Sequence, residues 1–422
     1  MKILVSNIGS SSFKFRLFEM SAEREAETAA GDADRIGAKG GVLKLRIGDS
    51  PWRSLPRDFA DHGAAIQAVL DALVAGGALS SPKDLGAVAF KAVMAGDVEP
   101  VVLVDQKLLA RMEYFIPVAP AHNPPYIAAM RMFRKVLGDT PLVAAFETGF
   151  HRTVPVRRRF YAVPPEWAEK YGVKRYGFHG ASHRYIATRT GQLMPEARRV
   201  ISCHLGGSSS LCAIRDGASV AVSMGLSPQS GLPQSNRAGD FDPFALLLLK
   251  SQAGMDTEQV LTALGSGSGL AALSGTSGDM RDVYRQATGN GEQATGSRQR
   301  ATGNREHATG NGQQATGAER ARLTIDIYVT AIRDYLGAYL VELGGADAIV
   351  FTGGIGENNP WLRTEVLAGL EFAGVRLDER KNTSARGESR IEAADSMTAV
   401  WVMPTNEELI VARLATGLLL AR

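Results

Sequence analysis

Two segments in opposite halves of the chain share one pattern of apolar, glycine and serine residues. The stretch ILVSNIGSSSFKFRL begins at Ile3, the stretch VISCHLGGSSSLCAI begins at Val200, and the two align without a gap. Each reads as a buried strand, a glycine- and serine-rich turn and a second strand. The alignment therefore predicts two related halves, each with one donor-rich hairpin, whose turns are presented to a shared cleft.

The length of the chain agrees with a two-part architecture. A chain of 422 residues is too long for one hydrophobic core, so we expect two domains. Apolar strands alternate with helical patterns throughout, which indicates an α/β fold with much parallel sheet. We place the first domain at 1–150 and the second at 151–404, and expect a C-terminal helix over about 405–422 to pack back on the first. The stretch FALLLLK at 244–250 is predicted to be a buried turn of helix.

The charge and cysteine content exclude several classes of function. Lys+Arg 47 against Asp+Glu 44 gives a net charge of +3, which does not favour a nucleic-acid or membrane partner. No apolar run has the length of a membrane span, and no signal peptide is expected at the start. Only Cys203 and Cys212 are present, so we expect no disulfide framework and a cytoplasmic protein.

A second repetition has a different meaning. The triplet ATG recurs in steps of seven residues from Ala287 to Ala315. A seven-residue period suggests a coiled coil, but no position of this repeat carries an apolar residue bulkier than alanine. Because such a segment cannot bury enough apolar area to offset its ordering entropy, we predict a mobile surface insertion over roughly 286–318, with no catalytic role.

Three glycine-rich turns follow apolar strands and are candidates for holding phosphate: NIGSSSFK, HLGGSSS and TGGIGEN. Backbone N–H groups in such turns form concavities that bind anions, and the small side chains let a phosphate approach. An ordinary hairpin turn would explain any one of them. Three turns that each follow an apolar strand in the same way favour a nucleotide site. The chain contains no P-loop motif, and no G-x-G-x-x-G follows a strand, which disfavours a dinucleotide enzyme.

Five of the seven histidines lie between residues 122 and 204. Their spacing does not match a zinc site, and we expect His179 to hydrogen-bond a phosphoryl group instead. Structural roles are favoured for His151 and His183. The charged residues near the motifs are each explained, taken singly, by a salt bridge or a helix cap.

The complete set of motifs resembles that of the acetate kinases, within the acetate/propionate/butyrate kinase group of the actin–sugar kinase–Hsp70 fold. The motifs occur in the order of that family and cover the chain except for the ATG repeat: LVSNIGSSSFKF, APAHNPP, FETGFH, YGFHGASH, HLGGSSS, NRAGDFDP, SGTSGDMRDV, VFTGGIGENN and PTNEEL. The resemblance implies two duplicated actin-like (ribonuclease H-like) domains around a nucleotide cleft. It also implies a homodimer, which the residues do not indicate independently.

The resemblance further implies reversible transfer of the γ-phosphoryl group of ATP to acetate or another short-chain carboxylate, with Mg²⁺ (or Mn²⁺). By similarity, Glu147, His179 and Arg237 are catalytic, and Lys91 and His122 bind the carboxylate. Asn7 and Glu407 would bind the metal. The residues implied to bind ATP are Lys14, Ser10 and Ser12 at the first turn, His204, Leu205, Gly206, Gly207 and Ser208 at the phosphates, Asp279, Met280 and Arg281 at the ribose, and Gly354, Ile355, Gly356, Glu357 and Asn358 at the adenine.

The chain departs from the family pattern at three of these positions. Lys91 replaces an arginine and lacks the planar fork that grips a carboxylate with two hydrogen bonds. Glu147 replaces an aspartate and is one methylene longer, and Gly207 replaces an asparagine. A catalytically impaired or regulatory ATP-binding paralogue is therefore the alternative reading. An ATP-driven chaperone of the same fold is disfavoured, because no substrate-binding domain follows the second half.

Overall fold

The computed structural model describes residues 1–9, 11–21, 23–289 and 315–421. Ser10 and most of the predicted ATG insertion lie outside the described residues. The chain divides into two compact units: the first contains Met1–Ser202, Cys212–Pro228 and Met403–Arg422, and the second contains Cys203–Leu211 and Gln229–Val402. The first unit thus extends beyond 150, where the sequence places a boundary.

The first unit is built on an eight-stranded mixed sheet. Its strands β1, β6 and β8 are parallel neighbours, and the other pairs are antiparallel. The sheet order is β5-β4-β3-β2-β1-β6-β8-β7, with β1 Lys2–Ile8, β2 Ser12–Met20, β3 Glu25–Asp34, β4 Val42–Ile47, β5 Arg53–Pro56, β6 Leu85–Ala92, β7 Val101–Leu103 and β8 Leu142–Phe146. The helices of this part of the chain are α1 His62–Ala75, α2 Gln106–Tyr114, α3 Asn123–Leu137, α4 Val156–Arg159, α5 Pro165–Tyr171 and α6 Gly180–Leu193.

A six-stranded mixed sheet follows along the chain. Its order is β11-β10-β9-β12-β14-β13, with β9 Arg199–Leu205, β10 Ser209–Arg215, β11 Ala218–Val222, β12 Ala348–Thr352, β13 Ser389–Arg390 and β14 Ala399–Val402. The remaining helices are α7 Ala245–Ala253, α8 Thr257–Ser266, α9 Gly269–Ser274, α10 Met280–Thr288, α11 Gly317–Leu343, α12 Gly353–Asn358, α13 Pro360–Leu367, α14 Glu379–Ser384 and α15 Glu407–Leu420. Short 3₁₀ helices occupy Pro82–Asp84, Ile116–Val118, Gly149–Thr153 and Glu371–Ala373.

The last helix, α15, covers one face of the first sheet. Its buried residues Val411, Ala412 and Ala415 pack in one apolar cluster with residues of β1, β6 and β8. Side chains alternate between the two faces of a strand, so every second residue of these strands lies under α15. The Asn406 side chain caps the helix by accepting from Leu409 N–H at 3.1 Å. This cap begins α15 at Glu407 and thereby fixes where that carboxylate stands.

The two aligned segments are both hairpins, as their pattern predicts. Strands β1 and β2 pair antiparallel up to Ile8 opposite Phe13, and the turn closes with Gly9 N–H donating to the Ser12 carbonyl at 2.9 Å. In the second hairpin, between β9 and β10, Gly206 N–H donates to the Ser208 carbonyl at 3.2 Å. The two turns begin at Gly9 and Gly206, which the alignment pairs with each other.

The prediction that FALLLLK is buried was wrong. Helix α7 has no buried residue, and Leu247 and Leu248 are 63% and 62% exposed. A run of leucines does not show whether it packs against its own chain or against another molecule, because an apolar helix can be buried equally well by either.

The flanks of the ATG repeat are more ordered than the composition predicts. Helix α10 continues to Thr288, and α11 begins at Gly317, so both helices extend into the predicted insertion. The start of α11 is set by a capping box in which Thr316 and Glu319 exchange hydrogen bonds. The central residues of the repeat, 290–314, lie outside the described part of the chain.

Among the described residues, we find no helix with the length and hydropathy required to cross a bilayer. Cys203 and Cys212 are both free and buried, and burial raises the pKa of each thiol. Neither cysteine has the electropositive, accessible surroundings of a reactive thiolate.

Candidate active site

Three predicted site residues lie at the carboxyl ends of the three parallel strands of the first sheet. Asn7 is the next-to-last residue of β1, Lys91 is the next-to-last residue of β6, and Glu147 directly follows β8. Because β1, β6 and β8 are adjacent and parallel, their carboxyl ends meet at one sheet edge. This edge is where open α/β sheets place their ligands.

Lys91 forms an ion pair with Glu407 at the start of α15, with 2.5 Å between Lys91 Nζ and Glu407 Oε2. The two side chains are 20% and 14% exposed. Burial alone lowers the pKa of Lys91, but the charges of Glu407 and Glu147 outweigh burial and hold that pKa well above its ordinary value. The predicted carboxylate-binding residue and the predicted metal ligand are therefore in direct contact.

Glu147 is buried beside this pair, with only 6% of its surface exposed. Within the described residues, neither of its carboxylate oxygens has a hydrogen-bond partner. Burial and the charge of Glu407 raise the pKa of Glu147 to about 7, although Lys91 and the nearby Ala181 amide favour the charged form and lower it. A buried carboxyl group that changes charge near neutral pH is suited to acid–base work.

His179 is held beside Glu147 by the backbone. Gly180 N–H donates to the Glu147 carbonyl at 2.9 Å, and a Cβ on Gly180 would lie 2.1 Å from that oxygen, so only glycine fits. His179 itself has a left-handed backbone, with φ of 57°, which is uncommon for a residue other than glycine. A strained backbone at this point directs the imidazole from the start of α6.

Two further histidines have structural roles, as the sequence analysis favoured. His151 contacts the Phe178 carbonyl through Nε2 and the Ser219 hydroxyl through Nδ1, both at 2.9 Å. A carbonyl only accepts, so Nε2 carries the proton, and burial lowers the pKa of His151 to about 4. His183 Nδ1 lies 2.9 Å from Ser202 Oγ. Neutral His151 thus holds the backbone of Phe178, the residue directly before His179.

Sequence reasoning missed Tyr126 of α3, whose hydroxyl donates to Asn7 Oδ1 at 3.1 Å. Tyr126 is 2% exposed, and the charges of Lys91, Glu147 and Glu407 all act on it. It follows the NPP motif directly, so the only available signal was a tyrosine close to a recognised motif. His122 is the residue before α3 and is half-buried.

The first turn has further contacts within the same unit. Lys14 is exposed on β2 directly opposite Asn7, so a cation stands beside the first turn. A ring nitrogen of His62, on α1, lies 3.0 Å from the Gly9 carbonyl. Ser12 Oγ lies 2.5 Å from the position that a Cβ on Gly9 would take, so a larger residue there would force the Ser12 side chain to rotate.

The second unit holds Arg237 next to the second turn through Gln234, which sequence reasoning also missed. Gln234 Oε1 accepts from the Ser208 hydroxyl at 2.6 Å and from Arg237 Nη1 at 3.1 Å. Gln234 is 1% exposed, and Ser235 N–H donates to the Gly207 carbonyl at 3.0 Å. One buried carboxamide thus links the predicted phosphate turn to the predicted catalytic guanidinium.

The third glycine turn lies against the second. Gly353 begins α12 with a φ of +78°, and a Cβ there would lie 2.6 Å from the Leu205 carbonyl oxygen. Arg363 is 1% exposed and donates to the carbonyls of Gly356 and Glu357 at 2.7 and 2.9 Å. The predicted adenine residues Gly354, Ile355, Gly356, Glu357 and Asn358 together form α12 after Gly353.

The predicted ribose residues lie at the start of α10. Asp279 caps this helix and forms an ion pair with Arg281 at 2.5 Å, and Arg281 holds the pKa of Asp279 down at about 2. Met280 between them is buried. The structure thus gathers the described site residues into two groups, one in each unit. The first unit holds Asn7, Ser12, Lys14, Lys91, His122, Glu147, His179 and Glu407; the second holds Arg237 and the remaining predicted ATP residues.

The described residues contain no cluster of three or more histidine, cysteine or acidic side chains arranged for a metal ion. What the first unit offers is one amide oxygen, Asn7 Oδ1, and one carboxylate, Glu407, both near Tyr126. Hard oxygen donors in this small number suit Mg²⁺, which keeps several waters and is usually shared with substrate phosphates.

Comparison with known proteins decides the family. The profile described as "Acetokinase family" matches residues 2–302 and 306–413. The chain belongs to the acetokinase family. An acetate kinase of Natranaerobius thermophilus is 38% identical to this chain over 426 residues, covering 99% of this chain and all of the relative. An acetate kinase of Clostridium botulinum is 37% identical over 420 residues, covering 98% of each chain.

Solved structures agree with the α/β, two-domain, actin-like fold. The acetate kinase of Porphyromonas gingivalis superposes on this chain with a TM-score of 0.83 and 32% identity, covering 99% of both chains. A propionate kinase of Francisella tularensis gives a TM-score of 0.83 at 28% identity, covering 98% of both chains. The fold expected from the sequence is confirmed.

Proposed function

We propose that this chain transfers the γ-phosphoryl group of ATP reversibly to acetate or propionate, giving an acyl phosphate and ADP. Family membership over the whole chain supports the reaction class. The observation that carries the proposal is the buried group of Lys91, Glu147 and Glu407 at the carboxyl ends of parallel strands. A cation and a protonatable carboxyl group together suit a small anionic substrate.

The residues of the first unit would prepare the carboxylate for attack. Lys91 offers its remaining N–H donors to one substrate oxygen. Glu147, when protonated, shares its proton with the other oxygen, which removes the repulsion between two buried anions. His179 and Arg237 would bind the equatorial oxygens of the migrating phosphoryl group, where charge spreads in the transition state. His122 would line the acyl pocket.

We propose Mg²⁺ (or Mn²⁺) as the metal that accompanies ATP. Asn7 and Glu407 fit such an ion by their oxygen chemistry and would hold it, and when bound it would neutralise charge on the β- and γ-phosphates. Lys14 and the three glycine turns would bind the nucleotide. Because Lys91 donates to Glu407, its charge would act on the metal site as well as on the carboxylate site.

Purified protein with ATP, Mg²⁺ and a panel of carboxylates from formate to butyrate tests the proposal, with hydroxylamine trapping the acyl phosphate. We expect hydroxamate from acetate or propionate, and its absence with every carboxylate would overturn the proposal. The impaired-paralogue alternative has no support from the comparisons. Replacing Lys91→Arg and Glu147→Asp together discriminates the two: a large gain in rate favours the alternative, and a loss favours an adjusted active site.

We further propose that the protein is a homodimer joined through the α7 face, defined as Phe244, Leu247, Leu248 and Leu261. These side chains are 75%, 63%, 62% and 56% exposed and lie in the second unit. Contiguous apolar side chains of this kind mark a protein interface. The family resemblance supplies the partner, a second copy of the chain.

Replacing Leu247→Glu and Leu248→Glu together is expected to convert the dimer into monomers of 45.0 kDa, because four charges would then be buried in the interface. Light scattering coupled to gel filtration measures the mass. Val341→Glu, on α11 and 82% exposed, is the matched control and should stay dimeric. A monomeric wild type, or an unchanged mass of the double variant, would contradict the assignment.

We place the protein in the cytoplasm. Both free cysteines are buried, and ATP together with a small carboxylate is available in that compartment.

A further inference from the structure

Each of the two glycine–serine turns is tied to a buried tyrosine of its own unit. In the first, the Tyr126 hydroxyl of α3 lies 3.1 Å from Asn7 Oδ1, two residues before Gly9. In the second, the Tyr328 hydroxyl of α11 lies 2.8 Å from Ser209 Oγ, directly after the turn. Tyr126 and Tyr328 are 2% and 0% exposed. Neither residue belongs to a motif that the sequence analysis used.

The direction of the hydrogen bonds in the second turn follows from counting protons. Ser209 Oγ donates to the Gly206 carbonyl at 3.0 Å and accepts from Gly206 N–H at 3.3 Å. A serine hydroxyl has one proton, which this carbonyl takes. Tyr328 must therefore donate to Ser209, and Ser209 closes the turn by holding both backbone groups of Gly206. The tyrosine thus fixes the rotamer of the side chain that shapes the turn.

The first turn is held through the preceding strand end. Tyr126 donates to Asn7 Oδ1, which selects one of the two orientations of the Asn7 amide and leaves its NH₂ group on the other side. Burial raises the pKa of Tyr126 to about 12, so the hydroxyl keeps its proton at neutral pH. Asn7 is already oriented before any ligand arrives.

We propose that Tyr126 and Tyr328 are positioning residues for the nucleotide phosphates, each holding one turn in its ligand-binding shape before ATP binds. The inference rests on the proposed function, because it names the ligand of the two turns as a nucleoside triphosphate. Ordering side chains and loops on binding costs free energy, and a preformed turn avoids that cost. The two tyrosines act through Asn7 and Ser209 and do not touch the reacting atoms.

The test compares Tyr126→Phe and Tyr328→Phe with Tyr339→Phe, which removes the hydroxyl of another buried tyrosine on α11. Amide hydrogen exchange at Gly9 and Gly206 is measured without ligand, and the Kd for ATP is measured by calorimetry with and without Mg²⁺. We expect each of the first two variants to raise Kd about three- to tenfold, the worth of one hydrogen bond, and to speed exchange only in its own turn. Tyr339→Phe should change neither quantity by more than about twofold, since Tyr339 lies about three helical turns beyond Tyr328 on α11.

Three readouts separate the possible failures: amide exchange, the Kd for ATP and the melting temperature of each variant. Unchanged exchange at Gly9 in Tyr126→Phe and at Gly206 in Tyr328→Phe would overturn the anchoring. Faster exchange with an unchanged Kd, or a lower melting temperature alone, would reduce both tyrosines to structural residues and overturn the positioning role. A wild type that does not bind ATP would instead overturn the proposed function, whatever the exchange rates show.

Discussion

Replacing Glu147 with glutamine is expected to lower kcat by about 10²- to 10⁴-fold, the usual worth of a positioned acid–base group. Glutamine keeps the shape and can donate a hydrogen bond, but it cannot change its charge as the substrate carboxylate loses its own charge on gaining a phosphoryl group. The pKa of about 7 for the buried Glu147 carboxyl places its charge change near neutrality. The wild-type rate should therefore bend near pH 7, and that bend should disappear in Glu147→Gln.

The same substitution is expected to stabilise the protein at high pH. Because the folded-state pKa of Glu147 is raised from 4.5 to about 7, folding favours its protonated form, and stability is lost as pH rises through that interval. The ionised group costs about 3 kcal/mol above pH 7, at 1.36 kcal/mol per pH unit between the two values. Glutamine carries no such cost. The free energy of unfolding of Glu147→Gln should therefore exceed that of the wild type at pH 8 by this amount, and the gain should vanish below pH 4.5.

Urea unfolding at pH 4 and pH 8, together with pH–rate profiles, measures both effects. Glu147→Asp is the matched control, because it keeps an ionisable carboxyl and should keep the bend in rate. If Glu147→Gln retains activity within tenfold and still bends near pH 7, Glu147 only donates a hydrogen bond and the acid–base role is wrong.

Replacing Lys91 with methionine is expected to destabilise the fold by about 3 kcal/mol, because it leaves two carboxylates buried without their cation. Lys91 contacts Glu407 directly and also lowers the pKa of Glu147. Without that charge the pKa of Glu147 should rise further, and the carboxylate substrate should lose its counter-charge. Denaturant unfolding measures the first effect, and the KM for acetate, which should rise, measures the second.

A second ion pair on the same helix provides the control. Arg413 of α15 pairs with Glu25 at 2.6 Å, and the two side chains are 31% and 37% exposed. Arg413→Met should cost less than about 1 kcal/mol, since solvent screens such a pair. If Lys91→Met lowers the free energy of unfolding by no more than Arg413→Met does, the Lys91–Glu407 pair is solvated and contributes little to the buried group.

Local patterns predicted the parts of the site that depend on neighbouring residues. Runs of apolar residues located β1 and β9, the glycines marked both turns, and the acidic TNEEL stretch located the start of α15. These features follow from propensities and caps within a few residues. Asn7 lies next to the end of β1 and Glu407 begins α15, while the roles that the motifs imply for them stay predictions.

Contacts between distant residues are what the sequence could not provide. Tyr126 is separated from Asn7 by 119 positions and Lys91 from Glu407 by 316, and nothing local to either tyrosine or lysine encodes its partner. Gln234 was missed because an isolated glutamine in a loop has no distinctive pattern. The leucine run of α7 was misread because composition does not distinguish an internal core from an exposed face.

The most direct test of the account follows the oxygen atoms of the reaction. Acetate labelled with ¹⁸O is incubated with the enzyme, ATP and Mg²⁺, and the products are resolved by phosphorus NMR. We expect acetyl phosphate whose phosphorus signal carries the isotope shift of one ¹⁸O, because the carboxylate oxygen attacks the γ-phosphorus. Unlabelled inorganic phosphate as the only phosphorus product besides ADP would show that water is the acceptor and would contradict the assignment.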